Sequence, residues 1–277
     1  AILKQPDLGT AMTIMAITGG IVFVAGIDLV LMTCLFCLGG VPLLCPLLCV
    51  MMGWPVTLQS VVPLAAGIFL LFLLVAVVAR LARLNVSLIA PLLITLALIG
   101  GILASPLIFN KLNPYQRLRL TSFLQPEADP RGSGYNLIQS MIAIGSGGFW
   151  GKGLYRGSQN VLGFLPHKHT DFIFSVLGEE CGFWGIAMLI GGLAVVMARS
   201  LMIATSARDN FGTFVCVGVS SMFAFHFLVN IGMTVGMMPI TGLPLLFVSY
   251  GGSALLSTMF CVGLLLNISL RRERFTF

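Results

Sequence analysis

Charge is what this 277-residue chain has little of. Asp, Glu, Lys and Arg together make up 9% of it, against about 25% in ordinary soluble domains. With 58% hydrophobic residues, that scarcity excludes a soluble globular enzyme and a disordered segment. Fifteen Lys and Arg stand against nine Asp and Glu, a net +6. So few cations cannot form a phosphate-tracking face, so no nucleic-acid partner is expected. No charged n-region opens the chain at Ala1, so nothing there reads as a signal peptide. A disulfide framework is missing too. Cys34, Cys37, Cys45, Cys49, Cys216 and Cys261 lie inside apolar runs, and Cys181 opens another. Cys34 and Cys37 have metal-ligand spacing, but no second pair or neighbouring His completes a site. They read as small packing hydrophobes.

What is present is apolar length. A membrane-spanning helix needs about 20 apolar residues, and the runs divide into seven: 8–27, 30–52, 58–79, 84–110, 172–198, 212–236 and 253–270. Gly53-Trp54-Pro55 splits the second from the third. The expected fold is therefore an all-α polytopic membrane protein, one integral membrane domain over 1–277. It carries a large external loop at 111–171 and a second external or re-entrant segment at 237–252.

Cations in short loops favour the cytoplasm. Arg80 and Arg83, Arg199 and Arg208, and Arg271, Arg272 and Arg274 all fall on one side by alternation. The N-terminus then lies outside with no translocation signal of its own, which leads us to expect further helices upstream. Residues 111–171 also lie outside, yet hold Lys111, Arg117, Arg119, Arg131, Lys152, Arg156 and Lys168. Two readings remain: a solvated basic loop, or a site for an anionic ligand. The stretch 135–144 is long enough for a short interfacial helix. Gly145-Ser146-Gly147-Gly148 offers backbone N–H groups to phosphate oxygens.

Asp171 sits where this loop re-enters the membrane, beside Phe172 and Phe174. It reads either as a helix N-cap or as a partly desolvated proton acceptor. Asp171, Ser175 and Glu179 recur at i, i+4 and i+8, so one helix face would carry them along a wet cleft. Ionisable groups within a span are costly and face a cavity or a partner, so Glu179 or Glu180 otherwise pairs with a cation. His167 and His169 with Asp171 lack diagnostic metal spacing. His226 and Asn230 read as inter-helical hydrogen-bonding residues. The Gly- and Pro-rich stretch 239–253 is irregular backbone that survives only against protein or a watery cavity. These residues alone describe an outward-facing site for an anionic, lipid-linked ligand.

Several motifs also carry a resemblance. Lys4-Gln5-Pro6-Asp7-Leu8-Gly9-Thr10, Tyr115-Gln116-Arg117-Leu118-Arg119, Gly134-Tyr135 through Gly148, His169-Thr170-Asp171-Phe172-Ile173-Phe174, Gly178-Glu179-Glu180 and Ser249-Tyr250-Gly251-Gly252-Ser253 resemble, in order, the SEDS family of RodA, FtsW and SpoVE. The first and last are closest to the RodA branch. The resemblance implies a fold of about ten spans, of which roughly five would precede this chain. It implies a peptidoglycan glycosyltransferase that polymerises lipid II outside the cytoplasmic membrane during elongation, and so shapes the cell. Asp171 would be catalytic, as general base or as a ligand to a divalent cation such as Mg or Mn. Arg117, Arg119, Lys152 and Lys168 would bind the undecaprenyl pyrophosphate leaving group, with Glu179 and Ser249 completing the substrate site. A class B penicillin-binding transpeptidase and membrane lipids are the implied partners. A precursor flippase and an idle scaffold are the alternatives. The chain departs from the family pattern at His167, at Leu246 where proline is usual, and in an apparent extra helix pair at about 40–95.

Overall fold

The computed structural model describes residues 8–81, 89–112, 114–128, 132–158 and 169–271. Every regular element among them is helical. They are α1 (Leu8–Val24), α2 (Leu29–Met51), α3 (Leu58–Leu81), α4 (Ile89–Lys111), α5 (Pro114–Leu124), α6 (Ser133–Gly147), α7 (Ile173–Thr205), α8 (Asn210–Val235) and α9 (Gly252–Leu270). A single 3-10 turn covers Pro126–Ala128.

The seven expected spans fall on α1–α4 and α7–α9. Five of these helices are long and apolar enough to cross a bilayer. A sixth, α2, qualifies once its two halves are joined across a 46° bend. Pro42 and Pro46 lie inside α2, and each removes a backbone donor and crowds the preceding turn. The remaining helix, α1, has 17 residues and is shorter than a full span. Helix α5 was not foreseen. It begins on Pro114, whose fixed φ suits a first helical turn.

The chain divides into two compact units. One comprises Gly26–Leu124. Within it α2 and α3 both pack on α4, and α2 also meets α5. Gly101 makes the α2–α4 approach possible, since a Cβ there would stand 2.4 Å from the Cys37 carbonyl oxygen. Cys45, Cys49, Val61, Ala65 and Ile102 form this unit's core. All seven cysteines of the chain are free thiols, in keeping with their reading as packing residues.

The other unit joins Ala1–Ala25 to Gln125–Phe277. Helix α8 is its centre and touches α1, α6, α7 and α9. Its core gathers Phe174, Cys216, Val217, Phe223, Phe227, Leu245, Leu246 and Leu265. Small residues let these helices approach, as they do in membrane bundles generally. The Ser220 hydroxyl donates to Ser200 at 2.7 Å across α7 and α8. Leu246, at the place where the family pattern has proline, is buried in this core. The bend is made one residue later, where Phe247 takes φ 71°. That left-handed conformation costs about 1–2 kcal/mol for a residue with a Cβ. The Phe247 ring offsets it by packing edge-on to Phe223 at 5.3 Å.

Candidate functional site

The site is best built from α7, because that helix is broken. Gly182 has φ 64° and ψ −160° inside it, a conformation open essentially to glycine alone. The break releases the Glu179 and Glu180 carbonyls from the helical ladder. The N–H groups of Lys152 and Gly153 donate to them, each at 3.0 Å. On the far side of the break, the Phe183 N–H donates to the Gly148 carbonyl at 2.9 Å. The turn-rich segment after α6 thus satisfies the polar groups that the break exposes. This requires glycine on both sides. A Cβ on Gly151 would lie 2.2 Å from the Glu180 oxygen, and one on Gly147 2.0 Å from the Gly178 oxygen.

That geometry corrects the expected phosphate cradle. Gly145, Ser146 and Gly147 form the last turn of α6, Gly147 serves the close approach to α7, and Gly148 supplies the carbonyl that accepts from Phe183. The expected interfacial helix is present as α6, which packs on α7 and α8.

Glu179 lies just before the break. Its carboxylate is 1% exposed and meets the Lys152 ammonium at 2.8 Å. The Ser158 hydroxyl donates to the same oxygen at 3.0 Å, and Lys152 donates to Ser158 at 2.9 Å. Ser175, one turn before Glu179, is also fully buried, and its hydroxyl lies 2.6 Å from that of Ser140 on α6. The Ser140 hydroxyl also lies 2.7 Å from the Thr234 carbonyl on α8, which accepts from it. The polar face foreseen on α7 is therefore a packed seam, and the structural pairing of Glu179 with a cation is the one realised.

Asp171 precedes α7. The helix starts at Ile173 with Phe172 in the cap position, and no side chain caps it, so the N-cap reading is not realised. Three consecutive carbonyls hold its turn. The Tyr250 N–H donates to the His169 oxygen at 2.8 Å. The Ser249 hydroxyl donates to the Thr170 oxygen at 2.6 Å while accepting the Leu245 N–H at 2.8 Å. The Asn230 side-chain amide donates to the Asp171 oxygen at 3.0 Å. Asp171 itself is half-buried. Among the described residues its carboxylate makes no hydrogen bond or ion pair. The backbone is fixed and the acid group is left open, as a preorganised reactive group needs.

The other foreseen residues fall elsewhere. Arg117 and Arg119 stand on α5 in the Gly26–Leu124 unit. The Arg117 guanidinium lies 5.3 Å over the Phe109 ring and donates to the Asn110 carbonyl. Residues two apart on a helix do not share a face, so Arg119 points away from Arg117. Lys168 and His167 lie outside the described residues. Among the described residues no three His, Cys, Asp or Glu side chains stand together. Sequence reasoning missed Asn230 as a neighbour of the Asp171 turn. Its only signal was a polar amide inside an apolar span.

At opposite ends of this unit the charges separate. Asp171 and Ser249 stand at the start of α7 and before α9, whereas Arg208 and Arg271 stand before α8 and after α9. Gly212 and Ile268 are neighbours at that second end.

A family model describing cell cycle proteins of the FtsW, RodA and SpoVE type matches residues 44–274. Peptidoglycan glycosyltransferase RodA of Treponema pallidum is 42% identical over 98% of this chain and 65% of its own length. That match takes in the α2–α4 region as well. Peptidoglycan glycosyltransferase MrdB of Escherichia coli K12 is 46% identical over 60% of this chain and 45% of its own length. The chain thus spans about half to two thirds of these relatives. A solved structure of a peptidoglycan synthase complex that coordinates polymerization and crosslinking contains a chain 24% identical, with 96% of this chain and 98% of that one covered and a TM-score of 0.48.

Proposed function

We propose, since this chain belongs to the FtsW, RodA and SpoVE family of cell cycle proteins, that it carries the reacting part of a peptidoglycan glycosyltransferase. The substrate is lipid II, and the site faces outward from the bacterial cytoplasmic membrane. The single observation that carries this reading is the Asp171 turn. Its carboxylate is open while its backbone is held at three successive carbonyls.

In the proposed step the 4-hydroxyl of an acceptor GlcNAc attacks the anomeric carbon of the donor. Asp171 takes the hydroxyl proton as the new C–O bond forms. The bond from the anomeric carbon to undecaprenyl pyrophosphate breaks, the pyrophosphate leaves with the electron pair, and the configuration inverts. One carboxylate suffices because pyrophosphate needs no protonation to depart. Lys168 balances the charge that develops on it. Ser249 acts by holding the Thr170 carbonyl, and Glu179 acts through its pair with Lys152. Asp171 is also the residue that would hold a divalent cation such as Mg or Mn, which would neutralise charge on the pyrophosphate. The family resemblance supports a class B penicillin-binding transpeptidase as partner and a role in elongation.

The test is to supply the intact natural protein, with that partner, with fluorescent lipid II in vesicles. Glycan polymer on a gel is the expected result. Lipid II that crosses the bilayer without being joined would replace this reading with the flippase.

A further inference from the structure

Asn230 lies near the C-terminal end of α8, among mostly apolar residues, and is fully buried. Its amide nitrogen donates twice, to the Asp171 carbonyl at 3.0 Å and to the Leu243 carbonyl at 2.7 Å. The two ends of an amide are normally hard to tell apart. Here two carbonyl acceptors fix the orientation, because the oxygen would repel both. The consequence is that the Asn230 side-chain oxygen is buried with no partner. Buried polar groups are almost always paired, and an exception calls for a reason. An apolar side chain would fill the position without that cost. Asparagine is therefore kept for its two donors. One turn earlier, His226 Nδ1 donates to the Pro244 carbonyl at 3.2 Å. The same face of α8 thus grips two adjacent carbonyls of the Leu243–Pro244 bend and, between α7 and that bend, the residue that bears the open carboxylate.

We infer that Asn230 is a positioning residue for Asp171. It joins the Asp171 turn to the Pro-rich segment before α9 and sets where the carboxylate stands relative to the acceptor hydroxyl. This rests on the reading of Asp171 as the general base. Asn230 does not touch substrate and acts through the peptide oxygen of Asp171. A misplacement of about 1 Å at a reacting group costs about 10²-fold in rate, and that is the loss expected when the donors are removed.

The experiment uses the intact protein in proteoliposomes with fluorescent lipid II, and activity is read per mole of monodisperse protein. Asn230→Leu keeps the branching at Cγ in a larger side chain and removes both donors, and Asn230→Ser keeps one donor. Asn230→Leu is expected to lower kcat about 10²-fold with KM nearly unchanged, and Asn230→Ser to fall between it and the wild type. In an Asp171→Asn background, Asn230→Leu should add no further loss, since residues that act as a unit are not additive. Wild-type kcat in Asn230→Leu overturns the inference, as does a loss carried by KM or one that multiplies in the Asp171→Asn background. If the wild type itself makes no polymer, it is the proposed activity that fails. If the wild type polymerises, Asp171→Asn does not, and Asn230→Leu matches the wild type, the positioning role alone fails.

Discussion

Lys152→Met removes the partner of a carboxylate that is 1% exposed. Glu179 then loses the ammonium that compensates its desolvation, while the Ser158 hydroxyl still donates to it at 3.0 Å. Breaking a buried ion pair from one side costs about 3–5 kcal/mol. The Lys152 side chain is 30% exposed, and solvent screening places the loss at the lower end, about 3 kcal/mol. For a chain of this size, about 1 kcal/mol moves the melting temperature by about 2–4 °C. The expected fall is therefore about 6–12 °C, measured by thermal unfolding of the detergent-solubilised protein. The double variant Lys152→Met with Glu179→Met should recover most of it, because exchanging a whole buried pair for apolar residues is close to neutral. Lys152→Arg keeps the charge and should lose less than Lys152→Met. An unchanged melting temperature in Lys152→Met refutes the reasoning. So does a double variant less stable than either single one, since the pair would then not be acting as a pair.

The glycines around the break in α7 should divide sharply. Gly151→Ala would set a Cβ 2.2 Å from the Glu180 oxygen at φ 76°, so little monodisperse protein should be recovered by size-exclusion chromatography. Gly145→Ala, with nothing within 4 Å, should gain about 0.5–1 kcal/mol of helix stability and shift the melting curve upward. Ser249→Ala removes the donor to Thr170 and the acceptor for Leu245. Losing those two buried hydrogen bonds should cost about 1–3 kcal/mol, read as an earlier unfolding transition.

Much of the architecture was legible because apolar length is a strong signal. The positions of α2, α3, α4, α7, α8 and α9 follow from uncharged runs and their breakers. Helix α6 was legible as an apolar stretch flanked by Gly134 and Gly145. Helix α5 was not, since Pro114 to Leu124 carries two arginines and no periodic face. The break at Gly182 was invisible for a different reason. Nothing local distinguishes Gly182 from Gly178 or Gly185, and its conformation is set by a segment 30 residues earlier that receives the freed carbonyls. Asp171 could be singled out from its place at a membrane boundary. Its environment could not, because the donors to its turn come from Asn230, Ser249 and Tyr250, 59 to 79 residues further on. Glu179 shows the limit of helical spacing. The i, i+4, i+8 pattern did place Ser175 and Glu179 on one face, but only tertiary packing decides whether that face meets water or α6.

Asp171 is proposed to perform chemistry, beyond shaping the loop. Asp171→Asn keeps the size of the side chain, leaves every described backbone hydrogen bond of the turn intact and abolishes the base. The measurement is kcat at saturating fluorescent lipid II, per mole of folded protein. The account predicts a fall of about 10²–10⁴-fold, the range of general-base catalysis, with the melting temperature unchanged. Polymerisation by Asp171→Asn at the wild-type rate would contradict it.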